Sequence, residues 1–321
     1  MLIDPHIHIL LPGSLPDGQK LYFARMAAKS RLPYRDPLAI LPRVGGTGYD
    51  PDGKRTLEFM DYIGTDSCIH QVVDWGPGYG QEAPLSIEEQ NRLSCEMAQK
   101  HPGKIYSAIG VDPRRGNAVA ILEKGVKEWG AKCLKLYPPC GFFPNDRCCY
   151  PLYEKCLELG IPVVIHTGEG SNPQNTMPTD PVYIEQPAKD FPDLEFILAH
   201  SGGYGLEYHY IWKALTVARR AWNMTLELSS WQFSVMPSPE TKLKSKIPEF
   251  LDFLNITRSA VGAHRILWAT DFHPYKDRDT CRRWAEFFAN LPARAAEYDY
   301  DFSQEETDLI CWGNAKRLFK I

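Results

Sequence analysis

Short apolar runs and longer amphipathic stretches alternate along most of this chain. The first run, Leu2 to Leu10, is rich in Ile and Leu and predicts a strand. From Lys54 onward, stretches with apolar residues at helical spacing alternate with further apolar runs, and each pair predicts a helix followed by a strand. The eight predicted strands cover residues 2–10, 67–73, 105–111, 131–137, 161–168, 194–200, 224–230 and 266–272.

This alternation predicts the fold class. Strands that are apolar on both faces and are separated by amphipathic helices are typical of a parallel sheet covered by helices. Eight such units favour a closed (β/α)8 TIM barrel, formed by residues 1–321 as a single α/β domain. A doubly wound open sheet is the alternative, and it is less favoured because no glycine-rich phosphate-binding turn follows the first strand.

Residues 11–52 depart from the regular pattern. They are rich in proline and glycine, and apolar residues keep helical spacing only near Leu21 to Lys29, where a short helix is predicted. Irregular segments of this length inside a compact domain usually serve a function. Because this one directly follows the first strand, we expect it to be a loop that covers an active site, with Arg43 as a candidate contact for an anionic substrate group.

Composition and charge narrow the classes of partner. Hydrophobic residues make up 44% of the chain and charged residues 24%, as in ordinary globular proteins. The net charge of -4 provides no basic surface for nucleic acid, and no apolar run approaches the ~20 residues that span a bilayer. We expect a cytoplasmic protein that acts on a small molecule and contacts neither nucleic acid nor membrane, with a homodimer left open.

His6 and His8 are the first candidate functional residues. Being two positions apart on a strand, they point to the same side, and two neutral imidazoles on one rigid face suit a divalent ion such as zinc. Two ligands hold a metal poorly, so later segments must supply others. The carboxyl ends of barrel strands meet at one mouth, and the polar residues at those ends add Lys135, His166, His200 and Asp271.

Several segments carry a family resemblance. HIH in the first strand, VVIHTG, FPDLEFILAHSGG, ILWATDFHPY and the terminal WGNAKRLF together resemble the amidohydrolase superfamily, and specifically its amidohydrolase-2 group, which includes aminocarboxymuconate-semialdehyde decarboxylase. The resemblance implies a barrel enzyme with one divalent ion, zinc ahead of manganese. It also implies metal ligands at His6, His8, His166 and Asp271, with Asp271 as proton acceptor and His200 beside the reacting water or the substrate.

The ligand set leaves the reaction type open. A divalent ion can activate water for hydrolysis of an amide, ester or lactone, or it can polarise a substrate oxygen and support loss of CO2 from an aromatic or muconate-type acid. Hydrolysis is favoured, because decarboxylases of this group often carry His-Pro where the present chain has His166-Thr167-Gly168-Glu169. A barrel that binds a small molecule without catalysis is a third hypothesis, which the intact set of candidate ligands disfavours.

Other residues near strand ends are candidates for secondary roles. Lys135 lies on the strand where other branches of the superfamily carry a carboxylated lysine that bridges two metals, so a bridging ligand is one hypothesis for it. His273, two residues beyond Asp271, is a further candidate for the mouth of the barrel. Aromatic and acidic side chains on loops of this kind often form the walls of a substrate pocket, and we expect this of Trp75, Tyr137, Glu169 and Trp231.

Overall fold

The computed structural model describes residues 1–30, 32–44, 48–170, 174–206, 209–237, 243–272 and 277–321. All eight predicted strands are present, and the third is divided at Ala108 into two short segments. The strands are β1 (Ile3–Ile7), β2 (Ser67–His70), β3 (Ile105–Ser107), β4 (Ile109–Gly110), β5 (Leu134–Leu136), β6 (Val163–His166), β7 (Phe196–Ala199), β8 (Met224–Glu227) and β9 (Ile266–Leu267).

The strands form a closed barrel. All strand pairs are parallel and follow chain order, with β1 to β3 in one ladder and β4 to β9 in another. The two ladders join twice, because the N–H of Ala108 donates to the carbonyl of His70 at 2.8 Å and the N–H of His8 donates to the carbonyl of Phe272 at 2.7 Å. These contacts return the last strand to the first, which confirms the predicted TIM barrel over the open sheet.

Helices follow the strands and cover the barrel. Local signals set several of their ends: the Ser86 hydroxyl accepts the N–H of Glu89 at the start of one helix, and Gly64, at a φ of 79°, ends another. The helices are α1 (Asp17–Lys29), α2 (Pro37–Ile40), α3 (Lys54–Ile63), α4 (Gly76–Tyr79), α5 (Ile87–Lys100), α6 (Ala118–Lys127), α7 (Tyr150–Leu159), α8 (Glu185–Asp190), α9 (Tyr210–Arg220), α10 (Gln232–Val235), α11 (Ile247–Val261), α12 (Arg278–Ala289), α13 (Leu291–Ala296), α14 (Gln304–Asp308) and α15 (Asn314–Phe319).

The segment 11–52 is more ordered than the sequence pattern predicted. It contains α1, which begins four residues before the predicted helix, and α2, which continues into a 3₁₀ turn at Leu41–Arg43. Asp17 in the first turn and Lys29 in the last turn of α1 both complement the helix dipole. We call residues 11–52 the cover segment, and its role as a cover stays a prediction.

Two hydrophobic clusters hold the fold together. The larger one lies between the barrel and the helices and includes the fully buried Trp268, Trp284 and Phe250. The smaller one joins strand residues such as Ile3, Ile69 and Val164 to Leu318 and Phe319 of α15. This smaller cluster fills the barrel interior, so the polar side chains collect at the carboxyl ends of the strands. Within the described residues, no helix is both long enough and apolar enough to cross a membrane.

Candidate metal centre

The predicted polar residues come together at the carboxyl ends of the strands. His6 lies in β1 with His8 just after it, Lys135 lies in β5, and His166 ends β6. His200 follows β7 directly, and Asp271 comes shortly after β9. Three of them, His6, His8 and Asp271, offer ligand atoms that all lie within 4.8 Å of one another, and we call them the metal triad.

The metal triad fits a divalent cation. Nδ1 of His6 donates to Oε2 of Glu227 at 2.8 Å, and Nδ1 of His8 donates to the carbonyl of Gln71 at 2.7 Å. Each Nε2 therefore presents a lone pair, and these nitrogens lie 3.6 Å and 3.1 Å from Oδ1 of Asp271. Two lone pairs and a carboxylate oxygen this close repel one another unless a positive charge lies among them, which is the environment that zinc and similar ions require.

Lys135 supplies a positive charge beside the metal triad. Its Nζ donates to Nε2 of His6 at 3.1 Å. Burial lowers the pKa of Lys135 to about 8, and burial also raises the pKa of Glu227 to about 8. The structure therefore places Lys135 at the candidate centre, while its role as a bridging ligand stays a prediction.

His166 and His200 form a pair next to the metal triad. Nε2 of His166 donates to the carbonyl of Glu169 at 2.9 Å, and Nε2 of His200 donates to Nδ1 of His166 at 3.0 Å. The hydroxyl of Ser229 in turn donates to Nδ1 of His200 at 2.8 Å. The lone pair on Nδ1 of His166 thus accepts from His200 in this structure. A fourth-ligand role for His166 stays a prediction.

Glu227 is the residue of this site that sequence analysis missed. It ends β8, it is buried, and it connects the two sets of histidines: Oε2 accepts from His6, while Oε1 accepts the N–H of Ser229 at 2.5 Å. His6, His200 and Glu227 also offer ligand atoms within 4.8 Å of one another. The available signal was a carboxylate inside the apolar run MTLELSS, because a buried strand rarely carries a charge that has no partner.

Burial keeps His6 and His166 neutral. It lowers the pKa of His6 well below its ordinary value, and it lowers the pKa of His166 to about 3. The ammonium of Lys135 adds to both effects. Neutral imidazole is the form that binds metal, so the site is prepared for a cation near neutral pH.

The backbone at three strand ends is held in the left-handed region. His200 and Ser230 each have a φ of 66°, and Asp271 has a φ of 53°. For residues with a side chain this conformation costs about 1 kcal/mol or more and persists only where the surroundings enforce it. Here the side-chain hydroxyl of Ser230 donates to Oδ2 of Asp271 at 2.6 Å, which fixes the carboxylate with Oδ1 toward the histidines.

Two glycines near His200 lie where a side chain would not fit. A Cβ on Gly202 would lie 2.3 Å from the carbonyl oxygen of Tyr210, and a Cβ on Gly168 would lie 2.7 Å from the backbone of Gly203. These glycines therefore let the strand-end loops pack against one another and against the start of α9, which positions His200.

A cavity of about 830 Å³ opens above the site. His8, His166, His200 and Asp271 line its polar end. The predicted walls Trp75 and Tyr137 line it too, packed edge to face with ring centroids 4.8 Å apart. The cover segment contributes Leu15, Gln19, Phe23 and Val44, and the mouth carries Lys244, Lys246 and Glu249.

Three of the proposed substrate contacts do not contribute side chains to this cavity. Trp231 is fully buried, stacks on Phe253 with centroids 4.6 Å apart, and donates through Nε1 to the carbonyl of His200, so it supports the loop after β7 from the core. Arg43 is exposed and lies outside the cavity lining, although its neighbour Val44 is part of it. Glu169 orients neighbouring side chains: its backbone carbonyl accepts hydrogen bonds from His166 and from the hydroxyl of Tyr204.

His70 is buried and lines a small cavity of about 50 Å³ beside His8. His273 lies outside the described residues.

Sequence comparison now identifies the family. The amidohydrolase family model matches residues 3–321 of this chain. The chain belongs to the amidohydrolase family. This confirms the resemblance found in the sequence motifs.

One sequence relative and two solved structures that are similar to this chain are described next by their identity and coverage. Over 111 residues the chain is 33% identical to a 2-keto-4-carboxy-3-hexenedioate hydratase of Sphingobium sp., an alignment that covers 29% of the chain and 32% of that relative. A 5-carboxyvanillate decarboxylase of Novosphingobium aromaticivorans, solved with manganese, has a TM-score of 0.65 at 14% identity, covering 100% of this chain and 96% of its own. A probable 2-pyrone-4,6-dicarboxylic acid hydrolase of Acinetobacter baumannii has a TM-score of 0.62 at 13% identity, covering 100% and 99%. At such identities the two solved structures establish a shared fold.

Proposed function

We propose that this protein is a divalent-metal-dependent enzyme that uses water to hydrolyse an amide, ester or lactone bond in a small carboxylate substrate. The observation that carries the proposal is the metal triad at the polar end of a large, open cavity. His6, His8 and Asp271 would hold the ion, with His166 as the fourth ligand. We favour zinc, because two imidazoles and a carboxylate suit it, and manganese is the alternative because a solved decarboxylase of the same fold contains it.

A bound divalent ion would supply a water of lowered pKa and would polarise a substrate oxygen. Asp271 then acts as the proton acceptor, and the hydrogen bond from Ser230 to Oδ2 fixes the orientation of its carboxylate. His200 faces the same cavity and moves a proton at Nε2, and Ser229 holds its other nitrogen. Trp75 and Tyr137 form an aromatic wall against which a flat substrate packs.

Two relatives support chemistry with water. One is a hydratase and the other a probable hydrolase, and the substrates in their names are both carboxylic acids. The short match to the hydratase makes hydration of a double bond the nearest variant of the proposed reaction. Thr167, which follows His166 where a His-Pro motif would have its proline, points away from decarboxylation.

Decarboxylation is the second candidate. Tyr137 lies between Trp75 and His166, with its ring centroid 4.6 Å from that of His166, and such a site suits a flat aromatic acid. The 5-carboxyvanillate decarboxylase of the same fold acts on a substrate of this type. A barrel that binds a ligand without turning it over is the remaining hypothesis, and measurable metal content together with turnover would exclude it.

The test is an unbiased screen with isotope labelling. Purified, metal-loaded protein is incubated with panels of lactones, amides, esters, unsaturated keto acids and aromatic carboxylic acids, and mass spectrometry detects gain of water or loss of CO2. In 18O-water, hydrolysis places the label in a new carboxylate, and hydration places it in a new hydroxyl. Release of CO2 in deuterated water, with one deuterium on the carbon that lost it and no 18O incorporation, would replace hydrolysis by decarboxylation. The homodimer and the cytoplasmic location stay predictions.

A further inference from the structure

Lys135 is a buried side chain held by members of the metal triad. Among the described residues it is the one lysine that is buried, at 2% exposed. A buried ammonium destabilises the folded state unless acceptors or a negative charge lie beside it. Its Nζ donates to Nε2 of His6 at 3.1 Å, which is its one hydrogen bond among the described residues, and the carboxylate of Asp271 attracts it. The metal triad therefore accounts for the position of Lys135.

The hydrogen bond from Lys135 uses the lone pair that His6 would give to a metal. An ammonium has donors and no acceptor, so Nε2 of His6 must be the acceptor. The ring proton of His6 is then on Nδ1, which donates to Glu227 at 2.8 Å. A neutral imidazole has one such lone pair, and it cannot bind an N–H group and a cation at the same time. Lys135 and a metal ion therefore compete for the same atom.

Charge adds to this competition. Oδ1 of Asp271 lies 3.6 Å from Nε2 of His6 and 3.1 Å from Nε2 of His8, so a positive charge near these atoms is favourable. The ammonium of Lys135 is such a charge, and a divalent ion would be another. Two positive charges that share one buried site repel each other strongly, because little water is present to screen them. The site therefore favours either Lys135 or the ion beside His6.

We propose that Lys135 is a built-in counter-cation that occupies the lone pair of His6 until a metal ion displaces it, and that it thereby limits how tightly the ion is bound. This inference rests on the proposed function, because it assumes that the metal triad holds an ion. It differs from the bridging-ligand hypothesis, in which Lys135 would attract metal ions. The two make opposite predictions for the effect of removing the lysine.

The first experiment measures zinc affinity by competition with a chelator. Lys135→Met keeps a long side chain in the barrel but has neither the charge nor the N–H donors. It should bind zinc about ten-fold more tightly than the wild type, or tighter still, because both the competing donor and the like charge are gone. The matched control is Lys132→Met, two residues before β5, where Nζ lies 5.7 Å from the ring centroid of Tyr106. The control should bind zinc as the wild type does. Unchanged or weaker zinc binding by Lys135→Met would overturn the proposal.

The second experiment compares thermal stability with and without zinc. When a chelator removes zinc, the Tm of Lys135→Met should be lower than that of the wild type by roughly 5 °C or more, because Asp271 and the lone pair of His6 have lost their counter-charge. With zinc in excess this difference should disappear, since the ion replaces the ammonium. An equal loss of Tm under both conditions would show a merely structural role for Lys135 and would contradict the inference.

A second variant and the metal count complete the test. Lys135→Gln is uncharged but keeps a polar end group, and it too should bind zinc more tightly than the wild type. Failure of both variants to fold in the presence of zinc would refute the proposal. Two ions in each wild-type chain and one in the variants would establish a bridging lysine instead.

The zinc measurements also separate this inference from the proposed function. A wild-type protein that binds no zinc or manganese would overturn the proposed function, and this inference with it. Tight zinc binding by the wild type, with no gain in either variant, would overturn this inference alone.

Discussion

The polar strand ends and the cover segment form the two sides of one cavity, and they are built differently. At the strand ends, each candidate histidine has one ring nitrogen fixed by a hydrogen bond. His6 is paired with Glu227, His8 with Gln71, His166 with Glu169 and His200 with Ser229. The cover segment instead contributes mostly apolar side chains to the cavity and exposes others to solvent, with Leu32 80% and Leu38 66% exposed.

This difference indicates a division of roles. Groups that must hold an ion and move protons lie on strand ends, where packing and hydrogen bonds fix each rotamer. A segment that lies outside the barrel can change its side chains without disturbing that arrangement, and recognition of a particular substrate can therefore vary there. The following predictions test this contrast in order of decreasing effect.

The largest effect is expected from removing two ligands at the strand ends. The double variant His6→Ala/His8→Ala should lose its bound metal and at least ~10⁴-fold of its activity, because second-sphere changes alone cost about 10- to 100-fold. Elemental analysis of the purified protein checks metal content. Full metal retention in the double variant, or no divalent metal in the native protein, would show that the metal triad is misassigned.

His200→Asn should separate chemistry from metal binding. Since His200 is hydrogen-bonded to His166 and Ser229 and lies outside the metal triad, the variant should keep its metal. Its kcat should fall by about 10²- to 10⁴-fold, the range for loss of a general acid or base. Loss of the ion, or normal turnover with the ion bound, would contradict this assignment.

Glu227→Gln should lower the affinity for metal without abolishing metal binding. The change replaces the carboxyl group that is hydrogen-bonded to Nδ1 of His6 with an amide, while the size of the side chain is kept. We expect metal affinity to fall about 10- to 100-fold, measured by competition with a chelator. Glu249→Gln, at the mouth of the same cavity, is the matched control and should bind metal as the wild type does. Equal metal affinities for both variants would show that Glu227 does not contribute to metal binding.

The smallest effect is expected on the outer side of the cover segment. Leu38→Ser should change the free energy of unfolding by no more than about 0.5 kcal/mol, because Leu38 is already 66% exposed. Chemical denaturation followed by tryptophan fluorescence measures this. Destabilisation by several kcal/mol would mean that Leu38 is covered in solution, for example in the predicted homodimer.

Much of the fold could be predicted because its signals are local. Each strand is a short apolar run, and turn residues such as Gly64 and caps such as Ser86 lie next to the elements they end or begin. The cover segment was predicted less well: α1 is longer than its pattern indicated, since the side it turns to the cavity includes Gln19 among its apolar residues.

The candidate site was likewise predicted only in part. His6, His8, His200 and Asp271 could be placed at strand ends from their positions in the sequence, because parallel strands in a barrel end at one mouth. Trp231 follows its strand in the same way, yet it packs on Phe253 in the core. Position along the chain indicates which end of the barrel a residue reaches, and it does not indicate the direction of a side chain on the loop after the strand.

By itself, then, the sequence determined the barrel, the family and the residues that gather at its mouth, since periodicity and strand-end position are properties of neighbouring residues. Only the tertiary structure decided which side chains contact one another: Glu227 bonds to His6, Lys135 lies beside the metal triad, and Trp231 packs in the core. These depend on atoms brought together from distant parts of the chain, as for Glu227 and His6, which are 221 residues apart. Hydrogen bonding and burial act over a few ångströms in space, whatever the separation in sequence.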